Sequence, residues 1–177
     1  MNEFELIEKY FNWTGSNPDV IGVGDDCALI TIDSNSQLAT SVDTLIEGVH
    51  FPKNTSAADI AHKALAVNLS DLAAMGATPE YFTLALTLPE FDESWLKEFS
   101  NALKTLANQY NITLVGGDTT KGQLSISINV TGVVEKNKAL LRSSAQVGDV
   151  IFVSNTIGDA ALALWKIQQN IKPSEQL

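Results

Sequence analysis

The chain has 177 residues, enough for one sizeable core or for one domain and part of a second. Its formal net charge is −10, from 21 acidic and 11 basic residues, and such a surface argues against nucleic-acid binding because phosphates would be repelled. The charge does not argue against nucleotides, whose own charge a bound metal ion can neutralise. Cys27 is the only cysteine, so no intramolecular disulfide can form and a reducing compartment is favoured.

The first residues lack the basic start and apolar run of a signal peptide. No apolar stretch is long enough to span a bilayer. These patterns predict a cytoplasmic protein that has neither a membrane nor a nucleic acid as a partner.

The first part of the chain alternates between helical and strand patterns. Its predicted elements are a short amphipathic helix from residue 4, strands at 27–32 and 37–45, and a helix from 56 to about 75. Ser56 and Asp59 have the spacing of a capping box, which marks the start of that second helix.

The following segment completes the pattern of one domain. Its predicted elements are a strand at 81–88, a helix capped by Asp92, and strands at 112–115 and 124–134. The helix carries the clearest apolar stripe, which we assign to the core: Leu96, Phe99, Leu103, Leu106 and Tyr110. Because the order of elements is mixed, the sequence predicts an α+β fold with a mixed, largely antiparallel sheet flanked by helices.

The pattern changes after residue 138. A strand at 149–154 and a helix at 158–169 are predicted there, and the sequence ends soon after them. Two such elements cannot bury a core of their own. We therefore predict one domain over 1–138 and the opening of a second, incomplete domain over 139–177.

Four aspartates stand where surface charge alone would not explain them. They are Asp26 at the entrance to a strand, Asp43 within an apolar strand, Asp71 within an apolar helix and one turn after Asn68, and Asp118 at the end of a strand. An isolated carboxylate in apolar surroundings is costly unless it is paired or metal-bound. Four of them, with few cations nearby in sequence, indicate a hard divalent cation such as Mg²⁺. The alternative for each is a helix cap or a turn residue.

Glycines flank these acidic positions at Gly22, Gly24, Gly116 and Gly117. Only glycine lets backbone N–H groups come very close to a ligand, although glycine at a strand end is more often just a turn. The sequence contains no Walker A loop and no complete dinucleotide fingerprint. Any phosphate must therefore be held in another way.

Two side chains, His50 and Arg142, are candidates for contact with a substrate or its phosphate. His50, just after the strand that carries Asp43, is better placed than His62, which lies inside a helix and is interpreted as structural or exposed. Arg142 is either a phosphate clamp or an ordinary surface arginine, and the pattern alone does not favour one of them.

Four segments together resemble the thiamine-monophosphate kinase family in order and spacing. They read GDDCA at 24–28, SVDTLIEGVHF at 41–51, AVNLSDLAAMGA at 66–77 and GGDTT at 116–120. The segment at 68–77 alone is typical of the wider superfamily of aminoimidazole-ribonucleotide synthetase, selenophosphate synthetase and hydrogenase-maturation proteins. The segments at 43–51 and 116–120 narrow the resemblance to the kinase, and it covers essentially the whole chain.

The resemblance implies the N-terminal domain of the aminoimidazole-ribonucleotide-synthetase-like fold and the ATP- and Mg²⁺-dependent conversion of thiamine monophosphate to thiamine diphosphate. It also implies a homodimer formed through the N-terminal sheet. The implied Mg²⁺ ligands are Asp26, Ser41, Val42, Asp43, Asp71 and Asp118. The implied contacts are Gly117, Asp118 and Arg142 for ATP and His50 for thiamine phosphate. The family commonly has threonine at position 42, so only the Val42 carbonyl remains as a ligand there.

The implied reaction needs no general base, because the acceptor phosphate oxygen already carries negative charge at neutral pH. The task is to bring two polyanions into line, which Mg²⁺ does by neutralisation and positioning. Family members have a longer second domain that adds further ligands. Two alternatives therefore stand beside the kinase: another ATP-using member of the superfamily, and a non-catalytic nucleotide-binding or dimerisation module.

Overall fold

The computed structural model describes residues 3–12, 20–21, 29–30, 32–154, 156–169 and 171. The elements are α1 (Glu3–Tyr10), β1 (Val20–Ile21), β2 (Leu29–Ile30), β3 (Ser36–Ile46), α2 (Ala57–Ala74), β4 (Thr78–Leu88), α3 (Glu93–Gln109), β5 (Thr113–Lys121), β6 (Ser125–Glu135) and α4 (Asp159–Gln168). The chain divides into two compact units, Met1–Leu141 and Arg142–Leu177. The domain boundary expected after residue 138 stays a prediction.

A four-stranded sheet of order β3-β6-β4-β5 organises the first unit. β6 pairs antiparallel with both β3 and β4, and β4 pairs parallel with β5. A separate antiparallel pair is formed by β1 and β2. The predicted α+β class with a mixed, largely antiparallel sheet is confirmed.

The alternating exposure of the β6 side chains shows that the two faces of the sheet differ. Ile126, Ile128 and Val130 are at most 1% exposed, whereas the alternating Ser127 and Asn129 are only half-buried. We call the first side the helix-covered face, because α2 contacts β3, β4 and β6 there and α3 packs against α2 and β5. We call the second side the open face. Within the described part of the first unit, both helices that contact the sheet lie on the helix-covered face.

Helices α2 and α3 begin where the capping signals predicted. Ser56 Oγ accepts a hydrogen bond from Asp59 N at 3.1 Å, and the Asp92 carboxylate accepts from the first backbone N–H groups of α3. The apolar stripe of α3 is buried except at its end, where Tyr110 follows the helix and is 47% exposed. Burial of the stripe fixes α3 against α2.

β5 extends farther than the sequence indicated. It runs through both glycines to residue 121, so Asp118 lies inside a strand rather than at the end of one. Glycine weakens a strand and usually ends it, but pairing with β4 overrides that local preference here.

A β-bulge interrupts the pairing of β5 with β4. The register shifts between Phe82 and Thr83, and Val115 is the extra residue opposite that step. Beyond the bulge Asp118 pairs with Ala85, and both residues are exposed. The bulge therefore places Asp118 on the open face.

In the second unit the predicted helix is present as α4, but the predicted strand at 149–154 is not found among the described residues. Ile151 and Phe152 there are 94% and 88% exposed. A strand needs hydrogen bonds to a neighbouring strand, and the described residues of this unit provide none. Half of the predicted strand at 27–32 lies outside the described residues, and β2 covers two of the others. No described helix is both long and apolar enough to cross a membrane.

Candidate functional site

One hydrogen bond joins two of the predicted site residues across the fold. Ser41 Oγ, on β3, donates to Asp71 Oδ2, on α2, at 2.6 Å. Ser41 pairs with Val130 and Asp43 pairs with Ile128, so both β3 side chains lie on the helix-covered face. The structure therefore brings Ser41, Asp43 and Asp71 to the same side of the sheet.

These carboxylates are accessible from solvent. Asp71 is exposed and Asp43 is half-buried. The apolar neighbours of Asp71 in sequence turn into the core instead, since Leu69 and Leu72 are 7% and 1% exposed. The burial cost that the sequence indicated therefore does not arise at Asp71, and the site is open to a ligand from solution.

Asn68 does not share this surface with Asp71, although their helical spacing predicted a common face. The Asn68 side chain is fully buried, and its Nδ2 donates to Ala64 O at 2.9 Å. Its Oδ1 has no hydrogen-bond partner among the described residues. An unpaired buried acceptor costs about 1–3 kcal/mol, so Asn68 is a locally unfavourable residue in α2.

Val42 turns away from the group formed by Ser41, Asp43 and Asp71. Its side chain is 60% exposed on the open face, and its partner Asn129 donates from Nδ2 to Ser41 O at 3.1 Å. β3 is an edge strand of the four-stranded sheet, so the outer side of its backbone is not used in that ladder. An apolar side chain offers no oxygen, and only the backbone of Val42 can serve as a ligand.

Asp118 lies apart from the other candidate metal ligands within the chain. β6 and β4 lie between β3 and β5, which separates the backbones at Asp43 and Asp118 by three inter-strand spacings, roughly 14 Å. Asp43 is also on the helix-covered face and Asp118 on the open face. The structure does not bring Asp118 together with Asp43 and Asp71.

Gly117 occupies a position with no room for a side chain. A Cβ atom added there would lie 1.9 Å from the carbonyl oxygen of Leu84 on β4. At the neighbouring Gly116 the nearest atom would be Thr83 Cγ2 at 4.0 Å. The close approach of β4 and β5, rather than a turn, explains the glycine at 117.

His50 lies in a turn directly after β3. Its Nδ1 accepts a hydrogen bond from Ile46 N at 3.0 Å, and Lys63 of α2 donates from Nζ to the His50 carbonyl oxygen. Sequence reasoning did not single out Lys63, because no local pattern connects residues that are 13 positions apart. His62 is exposed, in agreement with its interpretation.

Two predicted ligands cannot be related to this site by the structure. Asp26 lies outside the described residues. Arg142 is exposed and begins the second unit, in a short 3₁₀ helix, Arg142–Ser144. The nucleotide contact implied for Arg142 and the metal contact implied for Asp26 stay predictions.

The oxygen donors of Ser41, Asp43 and Asp71 fit Mg²⁺ in chemical type. Among the described residues, no three or more His, Cys, Asp or Glu side chains form a group that could hold a metal ion. Mg²⁺ usually keeps several waters and is bound by one or two carboxylates together with substrate phosphates. An open group of this kind is therefore better suited to Mg²⁺ than to a metal that needs a closed protein cage.

Comparison with known proteins relates this sequence to one family. Residues 24–134 match the family described as AIR synthase related protein, N-terminal domain. The chain is similar to thiamine-monophosphate kinase of Haemophilus influenzae, with 52% identity over 169 residues, which cover 94% of this chain and 52% of that protein. The chain spans about half the length of the curated relatives it matches.

Solved structures show the same similarity. The crystal structure of thiamine-monophosphate kinase from Stenotrophomonas maltophilia matches with a TM-score of 0.82 and 52% identity, covering 88% of this chain and 49% of that one. AaThiL complexed with AMPPCP and TMP matches with a TM-score of 0.74 and 31% identity, covering 82% and 47%. Both matches confirm the predicted fold.

The steric role of Gly117 leads to a prediction about stability. Gly117→Ala should lower the free energy of unfolding by roughly 2–3 kcal/mol, because the new methyl group would overlap the Leu84 carbonyl and force β4 and β5 apart. Gly116→Ala is the matched control and should change it by no more than about 1 kcal/mol. Urea unfolding followed by circular dichroism measures both, and equal losses would contradict the steric explanation.

Proposed function

We propose that this chain, which belongs to the family of AIR synthase related proteins through its N-terminal domain, serves the ATP- and Mg²⁺-dependent phosphorylation of thiamine monophosphate to thiamine diphosphate. The observation that carries the proposal is the Ser41–Asp71 hydrogen bond, which ties the strand that carries Asp43 to Asp71 of α2 at an accessible place. The choice of substrate is supported by relatives about 50% identical that are thiamine-monophosphate kinases. AaThiL, which was solved with AMPPCP and TMP, gives further support.

Each residue has a distinct part in the proposal. Asp43 and Asp71 supply carboxylate oxygens for Mg²⁺, and Ser41 holds the Asp71 carboxylate in place. Mg²⁺ at these oxygens would neutralise phosphate charge and support in-line transfer. The remaining metal ligands proposed from the family resemblance are Asp26, the Val42 carbonyl and Asp118. Asp118 cannot share an ion with Asp43 and Asp71 of the same chain, because it lies three strands away on the open face.

The other proposed contacts concern the two phosphate-bearing substrates. Gly117 lets the β5 backbone approach a nucleotide, and Arg142 supplies a positive charge for its phosphates. His50 contacts the thiamine phosphate. No residue needs to remove a proton from the acceptor, because that phosphate oxygen is already ionised. A cytoplasmic location is also proposed, since the single cysteine suits a reducing compartment.

The direct test of the proposed function is product formation. The chain is incubated with thiamine monophosphate, ATP and Mg²⁺, and thiamine diphosphate is measured by mass spectrometry. We expect product that depends on both ATP and Mg²⁺. Mg²⁺-dependent ATP binding without product would instead favour the non-catalytic nucleotide-binding module, and loss of both would contradict the metal site itself.

Asp71 provides a more specific prediction. Asp71→Asn keeps an oxygen that can accept the Ser41 hydrogen bond but removes the negative charge, so folding should persist while Mg²⁺ binding weakens. We expect about tenfold weaker Mg²⁺-dependent ATP binding and roughly 100-fold lower turnover. Asp59→Asn, in the first turn of the same helix, is the control and should leave both near wild type. A variant at 71 that retains wild-type binding would remove this residue from the site.

We further propose a homodimer formed through the open face of the sheet. This face carries short polar side chains that bond to each other, with Thr44 Oγ1 2.7 Å from Ser127 Oγ and Thr87 Oγ1 3.0 Å from Thr120 Oγ1. Short side chains allow a second sheet to pack about 10 Å away. Because Asp118 lies on this face, its carboxylate would lie within or beside the interface.

If the dimer forms through the open face, a charge introduced at the centre of that face should prevent dimerisation. Ser127→Arg should convert a dimer to a folded monomer, because two arginines would be brought together at a symmetric interface. Asn108→Arg, at an exposed position of α3, is the control and should remain dimeric. Light scattering after size-exclusion chromatography measures the mass of each. The proposed interface would be contradicted if the wild type were a monomer at all concentrations, or if the Ser127→Arg variant were a dimer.

A further inference from the structure

The turn that presents His50 is closed by a set of backbone hydrogen bonds. His50 N and Val49 N both donate to Ile46 O, at 2.9 and 3.1 Å, and Gly48 N donates to Phe51 O at 2.9 Å. Gly48 has φ +79°, which favours glycine, and Phe51 is 4% exposed. The turn is therefore held at both ends, by the last residue of β3 and by a buried aromatic side chain.

The imidazole of His50 is itself part of this turn. Ile46 N donates to His50 Nδ1 at 3.0 Å. A ring nitrogen that accepts a hydrogen bond carries no proton, so the neutral ring must carry its proton on Nε2. The ring is exposed, and no described residue is hydrogen-bonded to Nε2. The free edge of His50 is thus a hydrogen-bond donor.

Lys63 holds the same turn from the helix side. Its Nζ donates to the His50 carbonyl oxygen, across 13 residues of sequence. α2 also carries Asp71, two turns farther along the helix. Lys63 therefore links the His50 turn to the element that provides a proposed Mg²⁺ ligand.

We propose that His50 binds the substrate as a neutral donor through Nε2–H, with Nδ1 occupied by Ile46 N–H, and that Lys63 is the positioning residue that fixes the turn. This inference rests on the proposed function in taking thiamine monophosphate as the substrate. The acceptor it requires is an oxygen of the substrate phosphate. A ring held in this tautomer cannot accept a proton from the substrate at its exposed nitrogen, so His50 acts in binding and not as a base.

Nuclear magnetic resonance tests the tautomer without any need for turnover. Long-range ¹H–¹⁵N spectra at alkaline pH, where imidazole is neutral, report which nitrogen carries the proton. The chain has two histidines, so His62→Gln assigns the signals, and the exposed His62 of the wild type is an internal reference for an unconstrained ring. We expect His50 to be in the Nε2–H form alone and its Nε2–H signal to shift as thiamine monophosphate is added. A proton on Nδ1, or no shift at saturating substrate, would overturn the donor assignment.

Two substitutions separate the two nitrogens of His50. His50→Gln places an amide N–H near the position of Nε2, whereas His50→Asn keeps an acceptor near the position of Nδ1. We expect thiamine monophosphate to bind His50→Gln within about threefold of wild type and His50→Asn roughly tenfold more weakly, by calorimetry. The Ile46 amide should stay protected from hydrogen exchange in His50→Asn and lose protection in His50→Gln, which is the reverse of the order expected for substrate affinity. If the same variant were the less affected one in both measurements, the assignment of the two nitrogens would be contradicted.

Lys63 is tested by its effect on the ring rather than on stability. Lys63→Met should leave the unfolding midpoint unchanged, broaden the tautomer distribution of His50 and weaken thiamine monophosphate binding about threefold, without changing ATP binding. Lys63→Arg keeps a donor and should restore both the tautomer and the affinity. If Lys63→Met changes neither the tautomer distribution of His50 nor the affinity for thiamine monophosphate, Lys63 is not a positioning residue.

The outcomes also separate this inference from the proposed function. If the wild type shows the Nε2–H tautomer and binds the substrate but makes no product, the proposed function fails while this inference holds.

Discussion

β6 is bonded to a neighbour on each side, and its alternating burial sets the faces of the strands on either side of it. Ile128 in the core fixes Asp43 on the helix-covered face, and Val130 does the same for Ser41. A slip of one residue between β3 and β6 would turn both side chains to the open face and break the Ser41–Asp71 hydrogen bond. The geometry of the candidate site thus depends on apolar residues that have no chemistry of their own.

Local signals in the sequence are enough to locate most helices and strands. The caps at Ser56 and Asp92 and the apolar stripe of α3 act within a few residues of each other, so they can be read without knowing the fold. Pairing between distant segments cannot be read in this way. Such pairing extends β5 through Gly117, whereas 149–154 has no partner strand among the residues that the structure describes.

The same contrast holds for the candidate site, where the sequence predicts the chemistry of the residues but not their arrangement in space. The residue types and sequence context of Asp43, Asp71 and His50 predict oxygen ligands and a substrate contact. Their exposure and separation depend on the fold, which exposes Asp71 on α2 and places Asp118 three strands from Asp43. Lys63 cannot be found from the sequence because its partner is a backbone carbonyl, which leaves no trace in residue identity.

The bulge at Val115 has an electrostatic consequence. An uninterrupted ladder would pair Asp118 with Leu86, which is 1% exposed, and would direct the carboxylate toward the apolar interior beneath α2 and α3. An ionised carboxylate there would cost several kcal/mol unless it were protonated or paired. Because the bulge takes up one residue, the Asp118 carboxylate lies in water and not in the interior. A local defect in hydrogen bonding thus protects the hydrophobic core.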